Sequence, residues 1–298
     1  MKRTDIKELF SDPKTYLNDS VTVCGWVRTW RDSKGISFIE LNDGTCLKNL
    51  QLVAEKTIVD ENALKPALAV GTALEVSGIF VPSERNGYEM SLRQVTVLGE
   101  CPQDYPLQKK HHTLEFLRTI PHLRPRTRFF EAVLAVRSEL SFAIHSYFHS
   151  HGYKYVHTPI ITGSDCEGAG EMFRVTTQPW NAKEKNESEY FANDFFGAKA
   201  GLTVSGQLEG EIAAMGLGRI YTFGPTFRAE HSNTTRHAAE FWQIEPEVCF
   251  CDLHDIIEIA EDFIKYIIRA VMKACPEELA FFNERTEKGL LEKLEKVV

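Results

Sequence analysis

The sequence has no long hydrophobic run and no regular cysteine pattern. No uninterrupted apolar stretch reaches about 20 residues, the length that a transmembrane helix needs. The opening segment MKRTDIKELF becomes acidic and polar at once, unlike a secretory signal peptide. The seven cysteines are odd in number and scattered, which disfavours a disulfide framework and indicates reduced thiols. We therefore expect a cytoplasmic protein without membrane spans.

One pair of cysteines has a spacing that allows a metal hypothesis. Cys249 and Cys251 stand one residue apart, a strand-like spacing. A metal site is the alternative, but we interpret both as small hydrophobic side chains.

Acidic residues outnumber basic residues over the whole sequence, but one segment is rich in basic residues. The net charge of −8 argues against a general nucleic-acid binder. Residues 109–128, however, contain six Lys or Arg, three His and one acid. A basic run is usually a solvated face; this one could also neutralise RNA phosphates. We favour the RNA interpretation, because the run separates two predicted domains.

Residues 21–98 predict a small β domain. Five runs are rich in strand-forming residues, namely 21–27, 36–42, 47–53, 72–80 and 90–98. Turn pairs such as Asp43-Gly44 separate some of the runs, and a short helical stretch near 60–69 lies between the third and fourth. Five strands with one helix in that place is the order of an OB barrel, which commonly binds oligonucleotides. Another small barrel is the alternative.

Residues 129–298 mix helices and strands without a regular βαβ alternation. We predict a long helix capped by Gly152, then the strand-like segment 153–162, strands at 202–206, 219–227 and 240–250, a helix over 252–274, and a final amphipathic helical stretch. This mixture favours an antiparallel α+β catalytic domain. The last helix has no convincing stop signal, so we expect an unfinished core.

The hairpin at 221–250 is the strongest chemical signal. It consists of two apolar strands and a polar loop, with Arg228 and Glu230 at the end of the first strand and Phe241 in the second. An arginine can fork onto phosphate and an aromatic ring can stack on a base. A surface hairpin with a solvated loop is the alternative that composition alone favours.

Sequence resemblance supports the nucleotide interpretation. FRAE, a loop and RHxxEFWxIEPE (227–247) resemble motif 2 of class II aminoacyl-tRNA synthetases, in the form of the aspartate/asparagine branch. Other segments resemble further parts of these enzymes: motif 1 at 129–161, a mobile loop at 164–175, the amino-acid strand at 202–211, the hinge at 106–128 and the OB domain at 25–44. The resemblance implies an OB-fold anticodon-binding domain at 1–100, a hinge at 101–128, a catalytic domain at 129–298, and a homodimer formed through 129–161.

The resemblance also implies roles for individual residues. ATP would be bound by Arg228, Glu230, Arg236, His237 and Phe241, with Arg228 as the catalytic cation at the α-phosphate. The amino acid would be bound by Glu167, Ser205, Gln207, Gly210 and Glu211. The anticodon of the tRNA would be bound by Arg28, Phe38 and Gln51.

The choice between asparagine and aspartate rests on charge, since the two amino acids have nearly the same shape. Aspartate enzymes of this branch carry a lysine three residues after the glutamine. Here Gly210 stands at that position, between Glu209 and Glu211. An aspartate side chain would meet no local cation, whereas an asparagine amide could donate to Glu211 or Glu209. We therefore expect L-asparagine and tRNA(Asn) as substrates, with ATP.

Motif 3 of the family is not recognisable in this sequence. Two short glycine-containing segments resemble motif 3 weakly, namely Gly168-Ala169-Gly170 and Gly216-Leu217-Gly218-Arg219. Both precede or adjoin motif 2, whereas motif 3 follows it, so we reject them. We expect motif 3 and the Mg²⁺ ligands beyond Val298, so the activity of this chain by itself is doubtful. Alternative functions are an aspartyl enzyme, a non-catalytic RNA- or protein-binding relative, and an enzyme that makes free asparagine, although such enzymes lack an OB domain.

Overall fold

The computed structural model describes residues 3–102, 104–110, 112–166, 168, 172–179, 181, 186–232, 234 and 237–298. The chain divides into two compact units: Met1–Ser138 with Cys275–Leu291, and Glu139–Ala274 with Glu292–Val298. The helices are α1 (Ile6–Ser11), α2 (Pro13–Tyr16), α3 (Glu61–Ala67), α4 (Leu114–Thr119), α5 (Arg128–Ser150), α6 (Glu187–Ala192), α7 (Gln207–Leu217), α8 (Leu253–Ala274), α9 (Pro276–Arg285) and α10 (Leu290–Val297). The strands are β1 (Ser20–Asp32), β2 (Ile36–Asn42), β3 (Leu50–Glu55), β4 (Ala73–Ser83), β5 (Gly87–Gly99), β6 (Lys154–Tyr155), β7 (Ile161–Thr162), β8 (Arg174–Val175), β9 (Ala200–Leu202), β10 (Arg219–Phe227) and β11 (Glu240–Val248).

The first unit contains a closed five-stranded barrel. Its strand order is β1-β2-β3-β5-β4, and the 13-residue strand β1 pairs with both β2 and β4. A short parallel pairing of β3 with β5 closes the barrel, and α3 lies between β3 and β4 in sequence. The predicted OB barrel with one helix between its third and fourth strands is confirmed.

Alternating side chains fill the barrel interior. Strand β2 alternates between partly buried and buried residues, so Ile39 and Leu41 point inward while Phe38 lies on the outer face. Phe80 is fully buried, and its ring stacks on Tyr88 with centroids 5.2 Å apart. Because side chains occupy the interior, a ligand of this barrel must bind on its outer surface.

The second unit contains two small three-stranded sheets. Their strand orders are β11-β10-β6 and β7-β9-β8, and β10 and β11 form an antiparallel hairpin with nine residues in each strand. Tyr147 and Phe148 of α5 pack against Tyr221 and Phe223 of β10 in a buried aromatic core. This packing buries one face of the β10–β11 hairpin against α5.

Two sequence predictions need correction in this unit. The predicted strand 202–206 is only the short β9, and Gln207 begins helix α7 instead of continuing a strand. The segment 153–162 forms two short strands that join different sheets. The final stretch of the chain is helical, as predicted, and Gly289, with a φ of 85°, separates it into α9 and α10. Within the described parts of the chain, no helix is long and apolar enough to cross a membrane.

Helix α5 ends at the predicted glycine. Gly152 has a φ of 79°, and its N–H donates to the carbonyl of His149 at 3.1 Å. The N–H of Tyr153 donates to the carbonyl of Phe148 at 3.0 Å. This left-handed cap turns the chain from α5 into β6, and a side chain there would be strained.

We expect Gly152→Ala to lower the free energy of unfolding by about 1 kcal/mol, because alanine disfavours the left-handed region. Chemical denaturation followed by circular dichroism would measure the change. Gly216→Ala is the matched control, since Gly216 lies inside α7 with open space around it and should gain stability. Equal effects of the two substitutions on the free energy of unfolding would contradict the role of Gly152 as the C-terminal cap of α5.

Candidate active site

The open end of the β10–β11 hairpin presents a cation beside an aromatic ring. Phe227 pairs with Glu240, and the N–H of Arg228 continues the ladder by donating to the carbonyl of Ala239 at 3.0 Å. The Arg228 guanidinium carbon lies 5.4 Å from the centroid of the Phe241 ring. Strand pairing therefore brings together the two residues that the sequence predicted for a phosphate and a base.

The segment after β9 lies against the same end of the hairpin. The N–H of Phe227 donates to the carbonyl of Thr203 at 2.9 Å, and Nη2 of Arg228 donates to the carbonyl of Val204 at 3.5 Å. Ser205 follows directly and is buried. The predicted phosphate arginine and the predicted amino-acid segment are thus joined by backbone contacts.

Glu245 of β11 organises this segment. One carboxylate oxygen accepts from the Ser205 hydroxyl, and the other accepts from the N–H of Gly206 at 3.2 Å and from the Thr222 hydroxyl at 2.5 Å. The Ser205 hydroxyl also accepts from the N–H of Gln207 at 3.1 Å, at the start of α7. Through these hydrogen bonds the Glu245 carboxylate fixes the start of α7 relative to the hairpin.

The first turn of α7 adds further acidic groups. Nε2 of Gln207 donates to Oε1 of Glu211 at 2.8 Å. Burial raises the pKa of the Glu247 carboxyl, and the nearby charges of Glu211 and Glu245 raise it further. Three carboxylates therefore lie close enough to influence one another. Beside Glu211 and Glu247 opens a cavity of about 530 Å³.

Gly210 is buried against this acidic group. A Cβ built at position 210 would lie 3.4 Å from Cγ of Glu247 and 3.4 Å from Cδ1 of Ile220. Position 210 thus lies on the side of α7 that faces β10 and β11, at van der Waals distance from both strands. No basic side chain therefore enters the pocket at the position where the aspartate enzymes carry lysine.

The remaining predicted ATP and amino-acid residues belong to less enclosed segments. Glu230 and His237 are exposed in the hairpin loop, where the ring of His237 bonds to the hydroxyl of Thr234. Glu167 and Arg236 lie outside the described residues. In the described part of the chain, no group of three His, Cys, Asp or Glu side chains could hold a metal ion.

The predicted anticodon residues separate into two places in the first unit. On the outer face of β2 and β3, the Arg31 guanidinium lies 4.7 Å from the centroid of the Phe38 ring. Nε2 of Gln51 donates to Oε2 of Glu89 at 2.8 Å on the same side of β3. This face offers an aromatic ring, a cation and polar edges.

Arg28 has different partners. Its guanidinium donates to the carbonyl of Arg126, to Oδ1 of Asn42 at 3.0 Å and to Oε2 of Glu131 at 3.3 Å. Burial lowers the pKa of the Arg28 guanidinium, while the Glu131 carboxylate opposes that effect. Arg28 therefore joins the barrel to the linker and to α5, and it would reach an RNA backbone only by leaving these partners.

Sequence reasoning missed Glu245, Glu247 and Arg31. The two glutamates stand two residues apart in a strand, a spacing that puts both side chains on one face of the sheet. The spacing could therefore have identified both glutamates from the sequence. Arg31 became visible only through its pairing with Phe38 across β1 and β2.

Comparison with protein families identifies both parts of the chain. The family model of class II tRNA synthetases (D, K and N) matches residues 113–296, and that of the OB-fold nucleic acid binding domain matches residues 21–98. The asparagine–tRNA ligase of Microcystis aeruginosa is 52% identical over 99% of this chain. That of Acetivibrio thermocellus is 51% identical over 100% of it. The chain spans 64% and 65% of the lengths of these two relatives.

Solved structures give the same result. Asparaginyl-tRNA synthetase from Pyrococcus horikoshii, complexed with asparaginyl-adenylate, aligns over 100% of this chain and 63% of its own, with a TM-score of 0.84 and 25% identity. The enzyme from Entamoeba histolytica aligns over 90% of this chain and 58% of its own, with a TM-score of 0.74 and 25% identity. The chain has an OB barrel followed by the class II catalytic fold, and it belongs to the class II tRNA synthetases of the D, K and N group.

Proposed function

We propose that this protein activates L-asparagine with ATP and transfers it to tRNA(Asn). The observation that carries the proposal is that Arg228 and Phe241 meet at the end of the hairpin, where Arg228 contacts Val204, next to the segment of Ser205 that Glu245 holds and that lacks the lysine of the aspartate enzymes. The sequence relatives described above are named asparagine–tRNA ligases, and the Pyrococcus structure holds asparaginyl-adenylate. Because the chain spans about two thirds of those relatives, the activity belongs to the product of the intact gene.

The first reaction needs positioning more than acid–base chemistry. The asparagine carboxylate, with an ordinary pKa of about 3.5, is already an anion at neutral pH and can attack the α-phosphorus of ATP. An oxygen–phosphorus bond forms, the bond to pyrophosphate breaks, and pyrophosphate leaves. Arg228 would stabilise the charge that develops on the α-phosphate oxygens. In the second reaction, a ribose hydroxyl of the terminal adenosine of the tRNA attacks the activated carbonyl and releases AMP.

The remaining residues would hold ATP and the amino acid in place. Phe241 would stack on adenine, Glu230 would contact the adenine or ribose side, and Arg236 and His237 would meet the β- and γ-phosphates. Glu167, Ser205 and Gln207 would hold the α-amino group of asparagine. Glu245 would position Ser205 and the start of α7. Mg²⁺ belongs to the proposal as an expectation from the family, and no step is assigned to it.

Selectivity for asparagine would come from the acidic pocket. The side-chain amide of asparagine can donate to Glu211 or Glu209, while the carboxylate of aspartate would face Glu211, Glu245 and Glu247 without a cation. A buried charge without a partner costs several kcal/mol. The position of Gly210 beside Glu247 supports this arrangement, because no side chain extends from α7 at that point.

The discrimination against aspartate should weaken as the pH falls. The pKa of Glu247 is raised, so its carboxylate takes a proton at a higher pH than an ordinary glutamate and removes one repulsive charge. Aspartate, with a pKa of about 3.9, is still ionised there. We expect the ratio of asparagine- to aspartate-dependent ATP–pyrophosphate exchange to fall several-fold as the pH is lowered from about 8 into the acid range in which Glu247 takes its proton.

Glu247→Gln is the matched control for this pH dependence. It should lower the ratio at the higher pH and make the ratio nearly independent of pH. An unchanged ratio across the pH range in the unsubstituted protein would contradict the assignment. The same raised pKa affects stability with a defined sign: the stabilisation from Glu247 is present below its unfolded pKa and is lost as the pH rises through its folded pKa.

The tRNA would bind the barrel through its anticodon. Phe38 would stack on the central anticodon base, Gln51 would read a base edge, and Arg28 would contact the backbone. The outer face of β2 and β3 supports the first two roles, since its aromatic ring and amide are accessible beside Arg31. Arg28 would first have to leave its hydrogen-bond partners Asn42, Arg126 and Glu131.

Domain boundaries and assembly are part of the same proposal. We place an anticodon-binding domain at 1–100, a hinge at 101–128 and a catalytic domain at 129–298. A homodimer through 129–161 is supported by the exposure of Phe142, which is 69% exposed, and of Tyr155 and Ile161. The cytoplasmic location remains a prediction from the odd number and scattered positions of the seven cysteines.

ATP–pyrophosphate exchange by the product of the intact gene tests the function. We expect exchange with L-asparagine and little with L-aspartate, followed by charging of tRNA(Asn). A preference for aspartate would refute the charge argument and favour an aspartyl enzyme. Calorimetry that detects no ATP binding would favour a non-catalytic RNA-binding relative.

A further inference from the structure

A large cavity in the first unit has no place in the proposed reaction. It has a volume of about 640 Å³ and lies where β1, the loop before β3, the linker and the first turns of α5 meet. Cavities of roughly 300–1,000 Å³ are typical of small-molecule sites. We call it the linker cavity and define it by Trp26, Arg28, Tyr105, Arg126, Arg128 and Glu131.

Two further cations of this wall form no salt bridge with a described residue, although the charge of Arg128 opposes the burial that raises the pKa of the Glu131 carboxyl. Arg28 is paired with Glu131 at 3.3 Å. Arg126 donates to the Tyr105 hydroxyl at 3.3 Å, and Arg128 lies 5.3 Å from the centroid of the Phe281 ring. Neither Arg126 nor Arg128 forms an ion pair with any described residue. Both are exposed, so they can bind an anion without first breaking a salt bridge.

The charges of Arg28 and Arg126 oppose each other. Besides burial, the charge of Arg126 lowers the pKa of Arg28, while the Glu131 carboxylate opposes that effect. An anion bound beside these guanidinium groups would reduce the repulsion between them. Because arginine can fork onto a phosphate, a phosphate is the anion that these side chains suit.

An exposed aromatic ring stands in the same wall. Trp26 is 50% exposed although it belongs to a barrel strand. Tyr105, from the linker, also lines the cavity and is partly buried. Exposed aromatic rings beside cations form the usual surface for stacking an unpaired base.

We propose that the linker cavity binds a nucleotide, with its base on Trp26 and its phosphate between Arg126 and Arg128. The nucleotide is either a free mononucleotide or an unpaired residue of the tRNA. Only the second source rests on the proposed function. The basic linker that contributes Arg126 and Arg128 leads polynucleotide phosphates to the cavity mouth.

The first experiment measures mononucleotide binding by calorimetry. The product of the intact gene carries Arg228→Ala in every sample, which removes the proposed catalytic phosphate contact, and AMP and GMP are the probes. Adding Arg126→Ala and Arg128→Ala should weaken binding at least about tenfold, as expected when phosphate-binding arginines are removed. Arg285→Ala with Lys288→Ala is the matched control, because it removes the same charge from exposed sites in the same unit and outside the basic linker. Equal thermal midpoints of the two double variants establish that both are folded.

The second experiment distinguishes the two sources. In proteins with Arg228 intact, we measure the KM for tRNA in charging and the rate of asparagine-dependent exchange. If the tRNA supplies the nucleotide, the cavity variant raises KM several-fold with exchange unchanged, and the control variant does not. If a free nucleotide is the ligand, calorimetry shows the loss and KM stays the same.

Two results would overturn the proposal. One is equal mononucleotide binding by the cavity variant and the control. The other is an effect on tRNA without any mononucleotide binding, which would reduce the cavity to a backbone contact. Exchange by the unsubstituted protein remains the separate test of the proposed function, so failure of one does not imply failure of the other.

Discussion

Arg228→Ala is expected to lower asparagine-dependent ATP–pyrophosphate exchange by about 10²–10³-fold, the usual loss when a donor that stabilises transition-state charge is removed. The guanidinium stands at the end of a nine-residue strand, beside Phe241 and the carbonyl of Val204. Alanine leaves the strand pairing intact and removes only the charge and its forked donors. Pyrophosphate exchange by the intact gene product measures this loss directly.

Two further variants make the Arg228 result specific. Arg228→Lys keeps the charge and loses the fork, so it should recover only part of the rate. Arg219→Ala removes an exposed arginine from the opposite end of the same strand and should leave exchange nearly unchanged. Exchange that survives in Arg228→Ala would exclude the phosphate role of Arg228.

Phe38→Ala should impair tRNA charging and spare amino-acid activation. Stacking of one base on an aromatic ring is worth about 1–3 kcal/mol, so kcat/KM for tRNA should fall roughly tenfold to a hundredfold. Exchange, which needs no tRNA, should remain at the unsubstituted rate. Phe38 lies on the outer barrel face and is not part of the buried core, so the barrel should stay folded.

Val53→Ala is the matched control for Phe38. Val53 is the cross-strand neighbour of Phe38 on the same outer face, so its loss tests sheet packing without removing a stacking ring. It should change charging little. Equal losses in charging and exchange after Phe38→Ala would contradict the assignment of the barrel to the anticodon.

The barrel and the hairpin could be predicted from sequence because their patterns are local. Strands β2 and β10 have the predicted bounds, since residue alternation and flanking turn residues define them without reference to the rest of the chain. Gly152 was predictable for the same reason, because a helix end needs a residue that tolerates a positive φ.

The segment after β9 could not be predicted in the same way. LTVSG has the composition of a strand, but the hydrogen bonds from Ser205 and Gly206 to Glu245 turn the chain into α7. That contact joins residues 40 positions apart in sequence. Tertiary contacts of this kind override local propensity.

Arg28 shows the corresponding limit for site residues. The family resemblance implied that it contacts the tRNA backbone. Its observed partner Glu131 lies 103 positions away, in a different element. Linear sequence identifies the residue types at a site, whereas the partners that determine their roles come from the fold.

A crystal structure of the intact gene product with a non-hydrolysable analogue of asparaginyl-adenylate tests the central claim most directly. We predict that the Arg228 guanidinium bonds to the group replacing the phosphate, that the adenine stacks on Phe241, and that the side-chain amide faces Glu211 or Glu209. An analogue bound with Arg228 turned into solvent, or with the amide directed away from the acidic pocket, would contradict the account.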